Sequence, residues 1–409
     1  MSRSMQHAMS AIAAWASRPT KAGGLGVILL SWAAITPASA ANYLNLYNFH
    51  GSPDGSQPYG RLVADTSGML YGTTDTGGVG GGGTVFRFDP ATGQVTTLYS
   101  FTTFGPKGSG PAAGVILGAN GLLYGTTETG GTGTCSLGCG TVFRLNPVTS
   151  DLTTLVDFQN DAQGIRPHGL VLHGGLLYGT TIYGGYIPGP GNSGGGTLFS
   201  VNPITKSFTK LHNFSEPGVN DGALPVTMLV PGPDGRMYGL ADSGGANGAG
   251  AVFALNTTTL AFSVIHSFDY HVDGAHPQGK LLVRNGNLLG TTRAGGPTAA
   301  SQGVVYSLNP TTGVLTNLYS FSGGNDGANV QFGVTKGPQG RVYGTSTEGG
   351  LSGGGTIFSV NPATHAHTIL YNFDARTGYF PSGELLLQGG NTFYGVSTGG
   401  NGSIYKLVP

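Results

Sequence analysis

Charge is scarce in this sequence: Asp, Glu, Lys and Arg make up 9% of 409 residues and balance at 18 acidic against 18 basic. Phosphate binding needs a basic footprint, so nucleic acid is excluded as a partner. Cysteine is limited to Cys135 and Cys139, a pair that falls short of the ligand count of a zinc site, and no metal site is expected from it. The apolar stretch at residues 23–35 is shorter than the twenty or so residues needed to cross a bilayer, so no membrane span is expected. Tryptophan is confined to Trp15 and Trp32, which leaves everything after residue 40 without one.

Glycine is abundant instead, with 76 copies. These recur at fixed places in a unit written seven times: Leu-Tyr-Gly-Thr-Thr, a Gly-Gly loop, Gly-Thr-Val-Phe, Asn-Pro and Leu-Tyr-Ser-Phe. The first hallmark falls at Tyr71, Tyr124, Tyr178, Tyr238, Leu289, Tyr343 and Tyr394, spaced by 53, 54, 60, 51, 54 and 51 residues. A period in this range marks a propeller or another repeat array. Fixed placement makes the glycines backbone geometry rather than a sign of disorder.

Each unit holds four β-like runs, at residues 60–64, 69–74, 83–88 and 94–101 in the first copy. Thr84, Phe86 and Phe88 alternate with Val85 and Arg87, a period of two rather than 3.6. Ser-Gly, Asn-Gly, Gly-Gly or Asp-Gly joins the first run to the second, and turns such as Asp89-Pro90-Ala91-Thr92-Gly93 join the third to the fourth. The unit is thus a four-stranded antiparallel meander. Apolar residues on both faces require a neighbour on each flank, which predicts an all-β, seven-bladed β-propeller. The last copy stops at Pro409 after its third strand, while residues 43–49, Tyr-Leu-Asn-Leu-Tyr-Asn-Phe, match a fourth strand that nothing precedes. The N-terminal strand is expected to complete the last blade and remove two open sheet edges.

Residues 1–40 read as a secretory signal. Arg3, Arg18 and Lys21 precede the apolar stretch, and Ala38-Ser39-Ala40 offers a cleavage site after about Ala40. Cleavage leaves one domain, residues 41–409, with 15 basic against 18 acidic residues, a net charge of −3. The mature protein is expected to be a secreted or periplasmic monomer. Export favours a disulfide between Cys135 and Cys139 that stiffens one loop.

The hallmarks Gly121-Leu122-Leu123-Tyr124-Gly125-Thr126-Thr127, Gly140-Thr141-Val142-Phe143-Arg144-Leu145-Asn146-Pro147 and Leu318-Tyr319-Ser320-Phe321 carry a family resemblance. The chain resembles the GloVer-type tandem repeat of exported bacterial proteins, described as having a choice of C-terminal anchors. The resemblance implies an extracytoplasmic, propeller-like protein and brings no catalytic residue with it. The chain ends at Pro409 without an apolar tail or sorting motif, so release rather than anchoring is expected. Paired glycines also resemble kelch repeats, but the kelch Trp is missing.

A propeller places its long connections on one face, where binding residues usually sit. One position there, directly after Gly-Thr-Thr, changes from blade to blade: Asp75, Glu128, Ile182, Asp242, Arg293, Thr347 and Thr398. Sevenfold repetition sets these in a ring, and Asp75, Glu128, Asp242 and Arg293 become candidate ligand-binding residues, unless they are solvated turn residues. Tyr183 and Tyr186 lie in the long third-blade loop, where they either stack on a sugar ring or pack onto the next blade. The best candidate for catalysis is Tyr270, His271, Asp273 and His276, with Arg166 and His168 in the equivalent loop, a set suited to proton abstraction beside a uronate carboxylate. Asp54-Gly55, Asp221-Gly222, Asp273-Gly274 and Asp326-Gly327 read as structural turns. No cofactor is expected; calcium would need more oxygen ligands than one Asp per loop supplies. His365 and His367 are expected to be solvated on the opposite face.

Three functions fit this reading: a module binding an extracellular glycan or protein through the long-loop face, a polysaccharide lyase or hydrolase on the same scaffold, and a structural surface component. The fold alone does not separate them.

Overall fold

The structure is a computed structural model that describes residues 41–160, 162–185, 194–214, 220–298, 300–374 and 378–409. Residues 1–40, read above as a signal, and Tyr186 lie outside the described residues. From residue 41 onward the chain forms seven four-stranded antiparallel sheets. In the first blade the strands are Ser56–Ala64, Leu70–Thr76, Gly81–Asp89 and Gln94–Thr102, in that order across the sheet.

The third strands explain why sheets stack into a ring. Val85, Phe86 and Phe88 are fully buried although they point to opposite faces. Val85 packs with Leu123 and Phe143 of the second blade, while Phe86 and Phe88 pack with Leu386, Val396 and Ile404 of the seventh. Seven such clusters fill the seven interfaces between neighbouring blades, including the one between last and first. An open solenoid would leave that last interface bare.

The ring closes as expected. Asn42–Asn48 pairs antiparallel with Ser403–Val408 and forms the outer strand of the seventh blade. Its register shifts between Asn45 and Tyr47, and the fourth strand of every other blade shifts at the equivalent place, as between Val142 and Phe143 in the second. The bulged residue is the Leu of Leu-Tyr-x-Phe, so this hallmark encodes a β-bulge.

The other hallmarks fit together sterically. In each blade the Gly of Tyr-Gly-Thr lies under the aromatic ring of Gly-Thr-Val-Phe, so that a methyl at Gly72, Gly125 or Gly179 would overlap Phe86, Phe143 or Phe199. Thr127 Oγ1 lies 2.9 Å from Thr141 Oγ1 and accepts the Thr141 backbone N–H, all buried. The fourth blade has Ala241 and Ala251 facing each other instead. A buried pair costs most when only one partner is lost. Thr127→Ala and Thr141→Ala should therefore each destabilise by about 1–3 kcal/mol, while the double variant should lose less than the sum, as read by urea denaturation.

Tyr306 and Tyr405 occupy the position that is Phe86, Phe143, Phe199, Phe253 and Phe358 in the other blades. Both are fully buried, and neither hydroxyl has a hydrogen-bond partner among the described residues. Tyr306→Phe and Tyr405→Phe should each raise stability by about 1 kcal/mol; a loss in either would show that the hydroxyl is satisfied.

The Asp-Gly turns are structural, as read, and the structure supplies their partners. Tyr47 Oη donates to Asp54 at 2.6 Å and Tyr319 Oη to Asp326 at 2.9 Å. His212 and His266 take the same place opposite Asp221 and Asp273, at 3.3 and 2.6 Å. Each bond ties an outer strand to the loop that leaves it. For Asp54, burial pushes the carboxyl up, but hydrogen bonds from Tyr47 and His50 outweigh it and hold the pKa low. The histidine expectation needs correction: His365 is exposed, but His367 is half-buried and stacks on Tyr319 with ring centroids 4.0 Å apart. Burial lowers its pKa to about 4.

Candidate functional site

The chain enters each blade through a residue in the left-handed backbone region. These are Gln57, Arg166, Leu224, His276, Asn329 and Phe380, at φ 54–62°, and Gly110 at φ 68°. Proline follows in every blade but the sixth, where Val330 stands. Non-glycine residues rarely adopt this conformation, and such strain persists only where surroundings hold it. Here the N–H of each residue donates to a carbonyl of the preceding blade, as His276 to Ala249 at 2.9 Å and Arg166 to Cys139 at 3.1 Å. In four blades its own carbonyl accepts the N–H of the residue after Gly-Thr-Thr: Glu128, Asp242, Thr347 and Thr398. The variable position read from sequence is thereby fixed beside a second variable position at the start of the innermost strand.

Next to these positions lies a cavity of about 430 Å³ lined by residues of all seven blades, a volume suited to a small-molecule ligand. Asp75, Glu128, Ile182 and Arg293 line it, together with innermost-strand residues Tyr59, His168 and Gln278 and with Phe332, which precedes the innermost strand of the sixth blade. Arg61, Lys280 and Glu384 also line it. A shallower groove of about 210 Å³ shares Tyr59 and Phe332 and continues over the sixth and seventh blades past Thr347, Thr398 and the exposed Phe380.

The cavity's electrostatics are unusual for so weakly charged a chain. Burial raises the Asp75 pKa and the Glu128 charge adds to the rise. Burial also pushes the Tyr59 phenol up to about 12; Glu128 and Asp75 reinforce the shift and Arg293 opposes it, so all three charges act on this ring. Tyr59 packs edge-on against Phe332, centroids 5.4 Å apart. Arg61 Nε lies 3.8 Å from Glu384. Burial raises the Glu384 pKa, with Arg61 and Lys280 opposing, and burial lowers that of Lys280.

Of the residues chosen from sequence, Asp75, Glu128 and Arg293 therefore meet in one cavity. Asp242 does not join them as a free carboxylate: it accepts from Gln278 Nε2 at 2.6 Å and lies 3.1 Å from His276 Nδ1. Burial acts to raise its pKa, but these two partners and Arg293 hold it low. Tyr183 is the end of a strand, Leu176–Tyr183, and its ring is covered by Arg166 at 5.6 Å. The Tyr270, His271, Asp273 and His276 set is dispersed. Tyr270 and His271 are exposed, Asp273 turns to His266, and His276 turns to Asp242. Cys135 and Cys139 form a disulfide, Cα atoms 5.2 Å apart. Among the described residues no three of His, Cys, Asp and Glu lie close enough together to hold a metal, and no helix is long and apolar enough to cross a membrane.

Sequence reasoning missed Tyr59, Arg61, Lys280, Phe332 and Glu384. For Tyr59, Arg61 and Lys280 a signal was available as alternation: Tyr59 with Arg61, and Gln278 with Lys280, put polar side chains on one face of innermost strands.

Comparison with known proteins supports the fold. No curated protein sequence matches. Among solved structures, an oligogalacturonate lyase in complex with manganese is 12% identical, with a TM-score of 0.57 over 91% of this chain and 94% of that one. The oligogalacturonate lyase of Vibrio parahaemolyticus is 10% identical, with a TM-score of 0.53 over 90% and 97%. The extracellular domain of a one component system from B. thetaiotaomicron is 15% identical, with a TM-score of 0.57 over 90% of this chain but 41% of that one. At such identities the likeness shows the propeller alone. The sequence itself matches the Gloeobacter/Verrucomicrobia repeat twice, over residues 33–231 and 191–408. These matches and the seven-bladed ring place the chain in the Gloeobacter/Verrucomicrobia repeat family.

Proposed function

We propose that this protein is an exported binding module that holds a polar glycan in the axial cavity of its long-loop face. One observation carries the reading: the cavity is lined by the positions at which the seven repeats differ, with Asp75, Glu128 and Arg293 gathered around Tyr59. Invariant positions build blades, and a site that recognises one ligand needs the exceptions. Aromatic faces at Tyr59 and Phe332 suit sugar rings, and the groove past Phe380 gives a chain somewhere to continue. The leader-like residues 1–40 and the likeness to an extracellular domain support export.

Turnover is a second reading, favoured by the raised pKa of Asp75 beside Glu128, since adjacent carboxyl groups in unlike surroundings suit general acid–base chemistry. Incubating the purified protein with a polysaccharide panel, while following both melting temperature and new reducing or unsaturated ends, separates the two. Saturable binding without product is the expected result, and Tyr59→Ala should weaken it about tenfold or more, the loss of one stacking contact of about 1.5 kcal/mol. Product formation lost in Asp75→Asn would favour the enzyme. Failure of every glycan to bind would overturn both.

A further inference from the structure

The cavity's charges are sorted rather than paired. Asp75 and Glu128 stand in neighbouring blades and act on each other as like charges. The Asp75 side chain makes no hydrogen bond or ion pair among the described residues, and the Glu128 side chain has only His168, at 3.4 Å. Arg293 stands in the fifth blade, and its guanidinium likewise has no hydrogen-bond or ion-pair partner among the described residues. Asp242 feels its charge but directs its oxygens at His276 and Gln278. Two further cations, Arg61 and Lys280, share a single anion, Glu384, and Arg61 Nε is buried without a hydrogen-bond partner. The one cavity thus holds both carboxylates without a full cationic partner and cations without a full anionic one. Tyr59 feels both.

Half-buried charges are costly when left unpaired. A ligand that brings an ammonium to Asp75 and Glu128 and a carboxylate to Arg293 relieves both deficits together, whereas a ligand of one charge relieves one. Tyr59 and Phe332, packed edge to face in the cavity lining, offer an apolar ring face against which a sugar ring can rest. Resting on the reading of this cavity as the binding site, we infer that its ligand is a zwitterionic sugar residue, carrying a free ammonium and a carboxylate on one ring, within a glycan.

Isothermal titration of the purified protein with glucosaminuronate, glucuronate, glucosamine and γ-aminobutyrate tests this. Glucosaminuronate should bind about tenfold or more tighter than either singly charged sugar, the worth of one charge-assisted contact. Arg293→Gln should erase its advantage over glucosamine while keeping that over glucuronate, and Asp75→Asn should do the reverse. Neither side chain is bonded within the fold and each is an unpaired half-buried charge, so melting temperatures that hold or rise should accompany both losses. Equal affinity for the three sugars would overturn the inference, as would equally tight γ-aminobutyrate, which has both charges without the ring. If a neutral glycan binds the cavity and the zwitterion has no advantage, the inference falls and the binding site stands; if nothing binds, both fall.

Discussion

Removing residues 41–49 should abolish the cooperative fold, although it takes away one strand of twenty-eight. The segment supplies the outer strand of the seventh blade, paired from Asn42 opposite Val408 to Asn48 opposite Ser403. It also supplies Phe49, 3% exposed in the cluster between the seventh and first blades, and Tyr43, stacked on Tyr371 with centroids 3.9 Å apart. Loss of a buried Phe side chain alone costs about 3–5 kcal/mol, while whole domains are stable by only about 5–15 kcal/mol. The truncated chain would also expose the edge of Ser403–Val408, a template for intermolecular pairing. Circular dichroism during urea titration should show no cooperative transition, and size-exclusion chromatography should show aggregates. A peptide of residues 41–49 added in trans should restore part of the transition by filling the vacant edge. A truncated protein with the midpoint of the full chain would refute strand closure as the source of stability.

The fold was legible because each hallmark has a local steric job. Gly of Tyr-Gly-Thr makes room for a ring, Leu of Leu-Tyr-x-Phe is a bulge, and Gly of Asp-Gly does two things at once. Gly55, for example, sits at φ 105° and lies against the Thr74 side chain, which any side chain at residue 55 would strike. Such constraints recur in every copy and so appear as words in the sequence. The cavity was only partly legible. The position after Gly-Thr-Thr could be found because repeats align it, and this brought Asp75, Glu128 and Arg293 together. Tyr59, Lys280, Phe332 and Glu384 come from different blades and meet at the axis, a proximity that spacing along the chain does not record. The opposite error arose at Tyr270, His271, Asp273 and His276. These are neighbours in sequence, but the turn sends Asp273 to the outer strand and His276 to Asp242. Closeness along a turn is a poor guide to a shared site when the turn exists to reverse direction.

Gly239→Ala should destabilise the protein by about 3 kcal/mol, although the same exchange usually stabilises by about 0.4–1 kcal/mol where the backbone tolerates it. The usual gain comes from the unfolded chain, which has fewer conformations to lose. At Gly239 it is overwhelmed, because the added methyl would overlap the Phe253 ring and lie 2.6 Å from Leu229 Cδ2. All three residues are enclosed, with Phe253 and Leu229 at 0% and 1% exposure, so neither neighbour can swing into solvent. Gly324→Ala is the control: its new methyl would meet nothing nearer than Ser322 Oγ at 3.7 Å, and it should be neutral or slightly stabilising. Phe253→Leu alone should cost stability by leaving a void, yet combined with Gly239→Ala it should cost less than the sum, because the methyl then occupies space the ring has vacated. Additive losses in that cycle would show that the two hallmark motifs do not meet. A coupling of the expected sign would show why they always appear together: within each blade, one is the space that the other fills.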